Sequence, residues 1–381
     1  MQIENLQKKD FKKIFINATP LLDVRAPVEF AHGSLPGAVN LPILNDAERA
    51  LIGTTYKQQG SEAAVALGYQ IISGDVKAER VAAWKSFLGQ HPEAILYCFR
   101  GGKRSQITQQ WLREAGVSRP LLVGGYKAAR QFLMEEIESF SQKQELLVVS
   151  GPTGSGKTHF LHQVQSFYPS IDLELLARHR GSVFGDLEQA QPTQIDFENH
   201  LAQVLLRIED KLPQNLRPLV EDESRVIGKV HQPNSFFERL RRSEVVWLDE
   251  PFDVRVTNVY QDYIMATALG LCTQQTPRCA EELEILRTQA LQVFAKYRRA
   301  VTQISTRLGG LRAQEVLTDL AQAESDFLNN NTLELNRVWI EKLLRYYYDP
   351  LYLGSLERRQ VKVLFKGSST SAADFLRSLK T

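Results

Sequence analysis

Long apolar runs are missing from this chain. No stretch approaches the roughly 18 apolar residues that a membrane-crossing helix needs, so no membrane partner is expected. Excess charge is missing too: 46 Lys and Arg stand against 44 Asp and Glu, a net charge of +2. No bulk field for nucleic acid follows from that balance, and any such contact needs a local basic patch. Cysteine is scarce. Cys98, Cys272 and Cys279 are too few and too scattered for a disulfide framework, and no paired C-x-x-C or spaced histidines suggest structural zinc. The stretch Met1 to Lys13 is polar and charged with no apolar core, so no secretory signal is expected. Reduced thiols and no export signal together imply a cytoplasmic protein. There is no internal repeat, and the only low-complexity run is Gly367-Ser368-Ser369-Thr370-Ser371. What is present suits a globular protein: 381 residues, 43% hydrophobic, enough for two or three domains.

The most informative stretch is Gly151-Pro152-Thr153-Gly154-Ser155-Gly156-Lys157-Thr158, which fits G-x-x-x-x-G-K-[ST] at every fixed position. Leu146 to Ser150 before it reads as a short buried strand, and His159 to Phe167 after it as the start of a helix. That order is what a phosphate cradle needs. Gly151, Gly154 and Gly156 let backbone N–H groups converge on phosphate oxygens, with Ser155 in the same loop. The helix N-terminus adds partial positive charge. Lys157 can reach a terminal phosphate, and Thr158 can hold a Mg²⁺ ion. The bland alternative is a glycine-rich turn with no ligand. Agreement of the loop with both flanking elements argues against it.

A second loop lies upstream. Ala94 to Tyr97 reads as a strand ending at Cys98, followed by Phe99-Arg100-Gly101-Gly102-Lys103-Arg104-Ser105 and a helical run from Gln106. Such a loop can curl its N–H groups into an anion-binding nest around the sulfur. Arg100, Lys103 and Arg104, with the helix N-terminus, favour thiolate over thiol. A lone cysteine is usually a buried structural one, but the cationic loop makes a nucleophile the better reading.

Strand and helix signals alternate through the first 140 residues, which predicts an α/β domain with a parallel sheet. Within it, Asp46 to Leu67 reads as a helix interrupted near Gly53 and Gly60, and Pro120 to Gly125 as a strand and turn. Ser141 to Glu145 is the best linker, and a second α/β domain is expected over 146–381. Its strands are expected at Leu146, Ser170 to Leu173, Pro218 to Glu221 and Glu244 to Asp249. Residues 253–348 read as a helical insertion, with Val361 to Phe365 returning to the sheet.

With both loops placed, residues 20–42 and 94–135 resemble a rhodanese domain. The first signature is Leu22-Asp23-Val24-Arg25 with Glu29-Phe30 and His32 to Pro42, and the last is Gly124-Gly125-Tyr126-Lys127 to Arg130. A rhodanese-like domain ahead of a P-loop domain is similar to the tRNA 2-selenouridine synthase family. Gly53 to Gln58, Ala177 to Gly185, Glu223 to Gly228 and Tyr347 to Tyr352 also resemble it. Lys103 departs from it, standing where an apolar residue is expected. The resemblance implies a transferase that converts wobble 2-thiouridine of tRNA to 2-selenouridine. Selenophosphate would be the donor, and a geranylated thiouridine made from geranyl diphosphate the intermediate. Cys98 would handle the selenium donor, and the phosphate loop would hold the diphosphate. No tightly bound cofactor is implied, and a need for Mg²⁺ stays open.

Other candidates stay less decided. An acidic partner for the phosphate loop could come from Asp249-Glu250 or from Glu221-Asp222-Glu223, each at a strand end. His179-Arg180-Gly181 could cap an anion or be structural, and Asp23 with Arg25 and Glu29 reads as structural pairing. For the tRNA anticodon region, the candidates are Arg239, Arg241 and Arg242, then Lys296, Arg298 and Arg299, then Arg358, Arg359 and Lys362. Phe236, Phe237, Tyr297 and Tyr346 to Tyr348 could stack on unpaired bases. The alternative function is a small-molecule kinase or NTPase fused to a rhodanese sulfurtransferase, with the Arg239 run as a lid. A non-catalytic, anion-sensing module is a third reading, against which the intact Cys98 argues.

Overall fold

The structure is a computed structural model and describes residues 4–182, 184–185, 189–213, 215–266, 280–357 and 361–380. Cys272, Cys279, Arg358, Arg359, Val183 and the end of the helix expected up to Leu271 lie outside them. Two compact units are present, residues 1–143 with 192–211, and residues 144–191 with 212–381. Among the described residues no helix is long and apolar enough to cross a membrane.

In the first unit three short strands, β1 (Leu21–Asp23), β2 (Ala38–Asn40) and β3 (Ile95–Tyr97), run parallel in the order β2-β1-β3. Both β1 and β3 are buried along their whole length, as parallel strands covered on both faces must be. The strand expected from Pro120 shrinks to single bridges, Leu96 with Leu121 and Leu6 with Leu122. Gly124 and Gly125 turn the chain into the helix Gly125–Lys143 before a ladder can form. Helix Asp46–Ile71 starts on a capping box, Asn45 with Glu48, and breaks at Gly60 but not at Gly53.

One helix changes unit. Gln194–Lys211 follows the phosphate loop in chain order, so the sequence reading puts it in the second domain, but it packs with the first unit. Its buried Asn199 accepts from Arg130 Nη1 at 2.8 Å and donates to the Ser34 carbonyl at 2.6 Å. Ile195 presses so closely on Gly33 that a Cβ there would lie 2.4 Å from its Cγ2. The amphipathic stripe of this helix announces a buried face without saying which unit buries it.

The second unit is a five-stranded parallel sheet in the order β10-β9-β4-β6-β5, formed by β4 (Leu147–Ser150), β5 (Ser170–Ile171), β6 (Leu219–Glu221), β9 (Glu244–Leu248) and β10 (Val363–Gly367). The late strand does return, pairing β10 with β9. A small antiparallel pair, β7 (Val226–Ile227) with β8 (Val230–His231), was not expected. Helices Ala280–Leu308, Gly310–Asn330 and Asn336–Leu343 bury their own core of Phe294, Tyr297, Leu320 and Trp339. Two π-helical turns, Tyr260–Met265 and Leu344–Tyr348, border it. The central strand β4 ends at Ser150, which delivers the phosphate loop to the carboxyl edge of the sheet.

Candidate active sites

Cys98 follows β3 directly and sits 3% exposed among Leu22, Leu96, Trp84 and Trp111. Its Sγ lies 3.2 Å from Ser105 Oγ and 3.9 Å from the Gly102 carbonyl, while Ser105 Oγ itself donates to that carbonyl at 3.0 Å. Helix Lys103–Glu114 therefore begins against the sulfur. The loop is locked from below: Tyr126 N donates to the Cys98 carbonyl and Lys127 N to the Phe99 carbonyl, both at 2.9 Å. This lock demands glycine at 125. It has φ +59°, and a Cβ there would fall 2.2 Å from the Cys98 carbonyl oxygen.

The loop cations do not act alike. Arg104 grips Glu29 with both Nη atoms, at 2.5 and 3.0 Å, whereas Arg100 and Lys103 are exposed. Burial works to raise the Glu29 carboxyl, but Arg104, with Arg49 at 3.1 Å, outweighs it and holds it below its ordinary value. Asp23 and Arg25 are a fully buried pair, joined through Nε at 2.8 Å, with the guanidinium 3.9 Å from the Tyr126 ring centroid. Asp23 and Arg25 thus pair with each other as the residues suggested, whereas Glu29 pairs with Arg104 and Arg49 instead.

In the second unit the phosphate loop closes on itself. Lys157 Nζ donates to the Gly151 carbonyl at 2.8 Å, and Thr158 Oγ1 donates to Glu174 at 2.9 Å. Ser155 Oγ is buried with no hydrogen-bond partner, as a donor reserved for a ligand would be. Sequence reasoning missed the supports. Tyr352 OH accepts from Gly151 N at 2.7 Å, and its ring centroid is 5.7 Å from Lys157 Nζ. Arg255 Nε donates to the Thr153 carbonyl at 2.9 Å while its Nη atoms grip Asp349. Asn258 Nδ2 donates to the Gly154 carbonyl at 2.8 Å. These residues come from about 100 to 200 positions downstream, too far for any local pattern to connect them with the loop.

β6 and β9 both flank β4, so side-chain geometry separates the two acidic strand ends: Ser150 Oγ donates to Asp222 Oδ2 at 2.5 Å. Asp249 and Glu250 face elsewhere: Asp249 pairs with Lys366 at 3.3 Å, and Glu250 accepts from Ser369 N at 2.7 Å. Glu221 Oε1 accepts from Glu174 N at 2.7 Å. Burial, then repulsion from Glu174, pushes Glu221 up, and Glu223 up to about 8; burial, with repulsion from Asp172, raises Glu174 itself. A raised carboxyl keeps a proton that the unfolded chain has lost. Stability from Glu223 is thus complete below its unfolded value, near 4.5, and drains away as pH rises through about 8. Glu223→Gln is expected to stabilise the chain by about 1–3 kcal/mol near pH 8.5 and to change little near pH 4.5. Melting curves at the two pH values check this, and equal shifts at both would show that Glu223 titrates like an exposed carboxylate.

The stacking candidates fare unevenly. Phe236, Tyr297 and Tyr347 are core residues at 0%, 2% and 6% exposure, so they cannot meet a base; their helical periodicity reported burial. Tyr346 is exposed, with Arg312 over its ring at 4.5 Å. Arg298 is held by both carboxylate oxygens of Glu324, while Arg299 beside it is exposed. On helix Asn234–Arg242, Arg241 lies over Phe237 at 5.9 Å and Arg242 is exposed. His179 is buried, and its backbone N–H donates to the Glu174 carbonyl at 3.0 Å, closing the end of helix Leu173–Ala177.

Residues 6–131 match the rhodanese-like domain, and residues 144–381 match the tRNA 2-selenouridine synthase AAA domain. The chain belongs to the tRNA 2-selenouridine synthase family. A protein named tRNA 2-selenouridine synthase from Bdellovibrio bacteriovorus is 60% identical, over 100% of both chains. One of the same name from Nitrosomonas europaea is 58% identical, over 97% of this chain and 98% of its own. A third, from Cupriavidus necator, is 45% identical over 97% of each. Family membership thus spans both units, the Cys98 loop and the phosphate loop alike.

Proposed function

We propose that this chain is a cytoplasmic transferase that converts wobble 2-thiouridine of tRNA to 2-selenouridine in two steps. The phosphate loop binds geranyl diphosphate and alkylates the thiocarbonyl sulfur, with diphosphate leaving. Alkylation makes that sulfur a better leaving group at C2. Selenium from selenophosphate then takes its place: the C2–S bond breaks, the C2–Se bond forms, and the sulfur departs as geranyl thiol. Cys98 is the nucleophile toward the donor: its thiolate attacks phosphorus, the P–Se bond breaks, and the selenide released attacks C2. Water hydrolyses the S-phosphocysteine to free thiol and phosphate. The nest formed by Phe99 to Ser105 holds the donor's phosphate-like head.

The observation that carries the prenyl step is the wall beside the phosphate loop. From Thr153 a narrow crevice of about 30 Å³ runs between Phe184, Val259, Tyr263, Trp339 and Tyr348. A nucleobase needs hydrogen-bonding groups, and the Ser182 hydroxyl here is already engaged with Tyr263 OH at 3.1 Å. A hydrocarbon tail needs only carbon surface. The crevice must widen to take ten carbons, and the π-helical turns that carry Tyr263 and Tyr348 are the segments placed to yield.

Mg²⁺ fits this site in one way. No group of three or more acidic or imidazole side chains is placed to clasp a metal among the described residues. Thr158 and Glu174 supply one hydroxyl and one carboxylate, which is what Mg²⁺ takes from a protein when substrate phosphates and waters fill its other positions. Bound there, it would neutralise the leaving diphosphate. For tRNA, Arg239, Arg241, Arg242 and Arg299 are the contact candidates, with Arg298 largely spent on Glu324.

A thermal-shift series tests the reading. Geranyl diphosphate is expected to stabilise the protein by about 2.7 kcal/mol at a hundred times Kd, and ATP and GTP to do far less. Stabilisation by nucleotide alone would favour the kinase or NTPase alternative.

A further inference from the structure

The first unit holds a cavity of about 690 Å³ that no step above uses. That is the size of a ligand site. Its inner wall is apolar: Ile43, Leu44, Ile52, Val65, Ile107 and Trp111. Its mouth is different. Arg49, Lys57, Lys103, Arg104 and Glu29 line it as well. Glu29 is paired with Arg104 and Arg49, which leaves Lys57 and Lys103, both exposed, as the cations outside that pairing. Tyr56 and Tyr69 are 60% and 42% exposed there. Lys103 and Arg104 also belong to the loop that follows Cys98, so cavity and cysteine loop share a wall. Most of the opposite wall is helix Asp46–Ile71 on both sides of its break at Gly60.

An apolar interior with a cationic mouth selects a molecule with a hydrocarbon tail and an anionic body. Geranyl diphosphate has that character but is already assigned to the phosphate loop. Geranylated tRNA has it too: one ten-carbon chain on a polyanion. We propose that this cavity receives the geranyl chain of S-geranyl-2-thiouridine, with the tRNA backbone at the cationic mouth, and so presents C2 to the Cys98 loop. This rests on the two-step reading above and adds a second prenyl-recognising site, one that senses the intermediate. Lys103, which departs from the family pattern, becomes a mouth cation. The chain seated there would also keep half-reacted tRNA on the enzyme until selenium has replaced sulfur.

The test uses anticodon stem-loops carrying either S-geranyl- or S-methyl-2-thiouridine, with full-length protein. Wild type is expected to bind the geranyl form about a hundredfold more tightly, because nine further carbons leave water. Val65→Trp, which fills the cavity from the helix wall, is expected to bring the two affinities within about threefold. In turnover with geranyl diphosphate and selenophosphate it should accumulate S-geranyl-thiouridine, because the phosphate loop is in the other unit. Equal affinities in wild type overturn the proposal, and so does a wild-type preference kept by folded Val65→Trp. Should that variant melt early, Ile52→Asn makes the wall polar without adding bulk, and the same two affinities decide. A wild type that forms no S-geranyl-thiouridine from geranyl diphosphate overturns the parent reading instead, while the affinity ratio still judges the cavity.

Discussion

Cys98→Ser is expected to lower selenium incorporation by about a thousandfold or more while S-geranyl-thiouridine still forms and accumulates. Only a deprotonated sulfur is a strong nucleophile here, and serine keeps the size while giving up the acidity. The loop should survive the change. Sγ already faces Ser105 Oγ at 3.2 Å, so a hydroxyl finds a partner, at a cost of about 1 kcal/mol for placing it in an apolar pocket. Prenyl transfer needs no thiol, because Lys157 and the other phosphate-loop residues belong to the second unit. Mass spectrometry of digested tRNA nucleosides reads both products at once. Selenouridine at wild-type rate would remove Cys98 from the chemistry. Loss of both products, with an unchanged melting curve, would mean that the two sites work only together.

Lys157→Ala is expected to weaken geranyl diphosphate binding ten- to a hundredfold, the equivalent of about 1.5–3 kcal/mol for a charged phosphate contact. Prenyl transfer should fall with it. The fold should not, because among the described residues Lys157 Nζ makes one hydrogen bond, to the Gly151 carbonyl, and is only partly buried. Geranyl diphosphate titration against the two proteins measures the change. An unaltered affinity would take the phosphate loop out of diphosphate binding.

Much of this was legible because it is local. A phosphate loop is eight consecutive residues, and the strand before it and the helix after it carry their own hydrophobic patterns. The Cys98 loop is local in the same way, running from the end of β3 straight into helix Lys103–Glu114. What stayed hidden depends on residues that meet only in three dimensions. Glu221 to Glu223 and Asp249-Glu250 look equivalent in sequence, and β6 and β9 both flank β4; only side-chain geometry shows Asp222 on Ser150 and Asp249 on Lys366. Tyr352 reaches the Gly151 amide from 201 positions away. The helix at 194 obeys its period faithfully yet buries its face in the first unit, because periodicity fixes a face and leaves the partner open. The aromatic candidates went wrong for a related reason: Phe236 and Tyr297 are as compatible with a core as with a base, and packing chose the core.

The central claim is that the two units perform separable steps on one nucleoside. The measurement that tests it most directly gives Lys157→Ala a tRNA that already carries S-geranyl-2-thiouridine, together with selenophosphate, and quantifies 2-selenouridine by nucleoside mass spectrometry. The account predicts near-wild-type selenation of that substrate, although the same variant fails on plain 2-thiouridine. Failure on the geranylated tRNA as well, by a folded variant that still binds it, would contradict the division of labour.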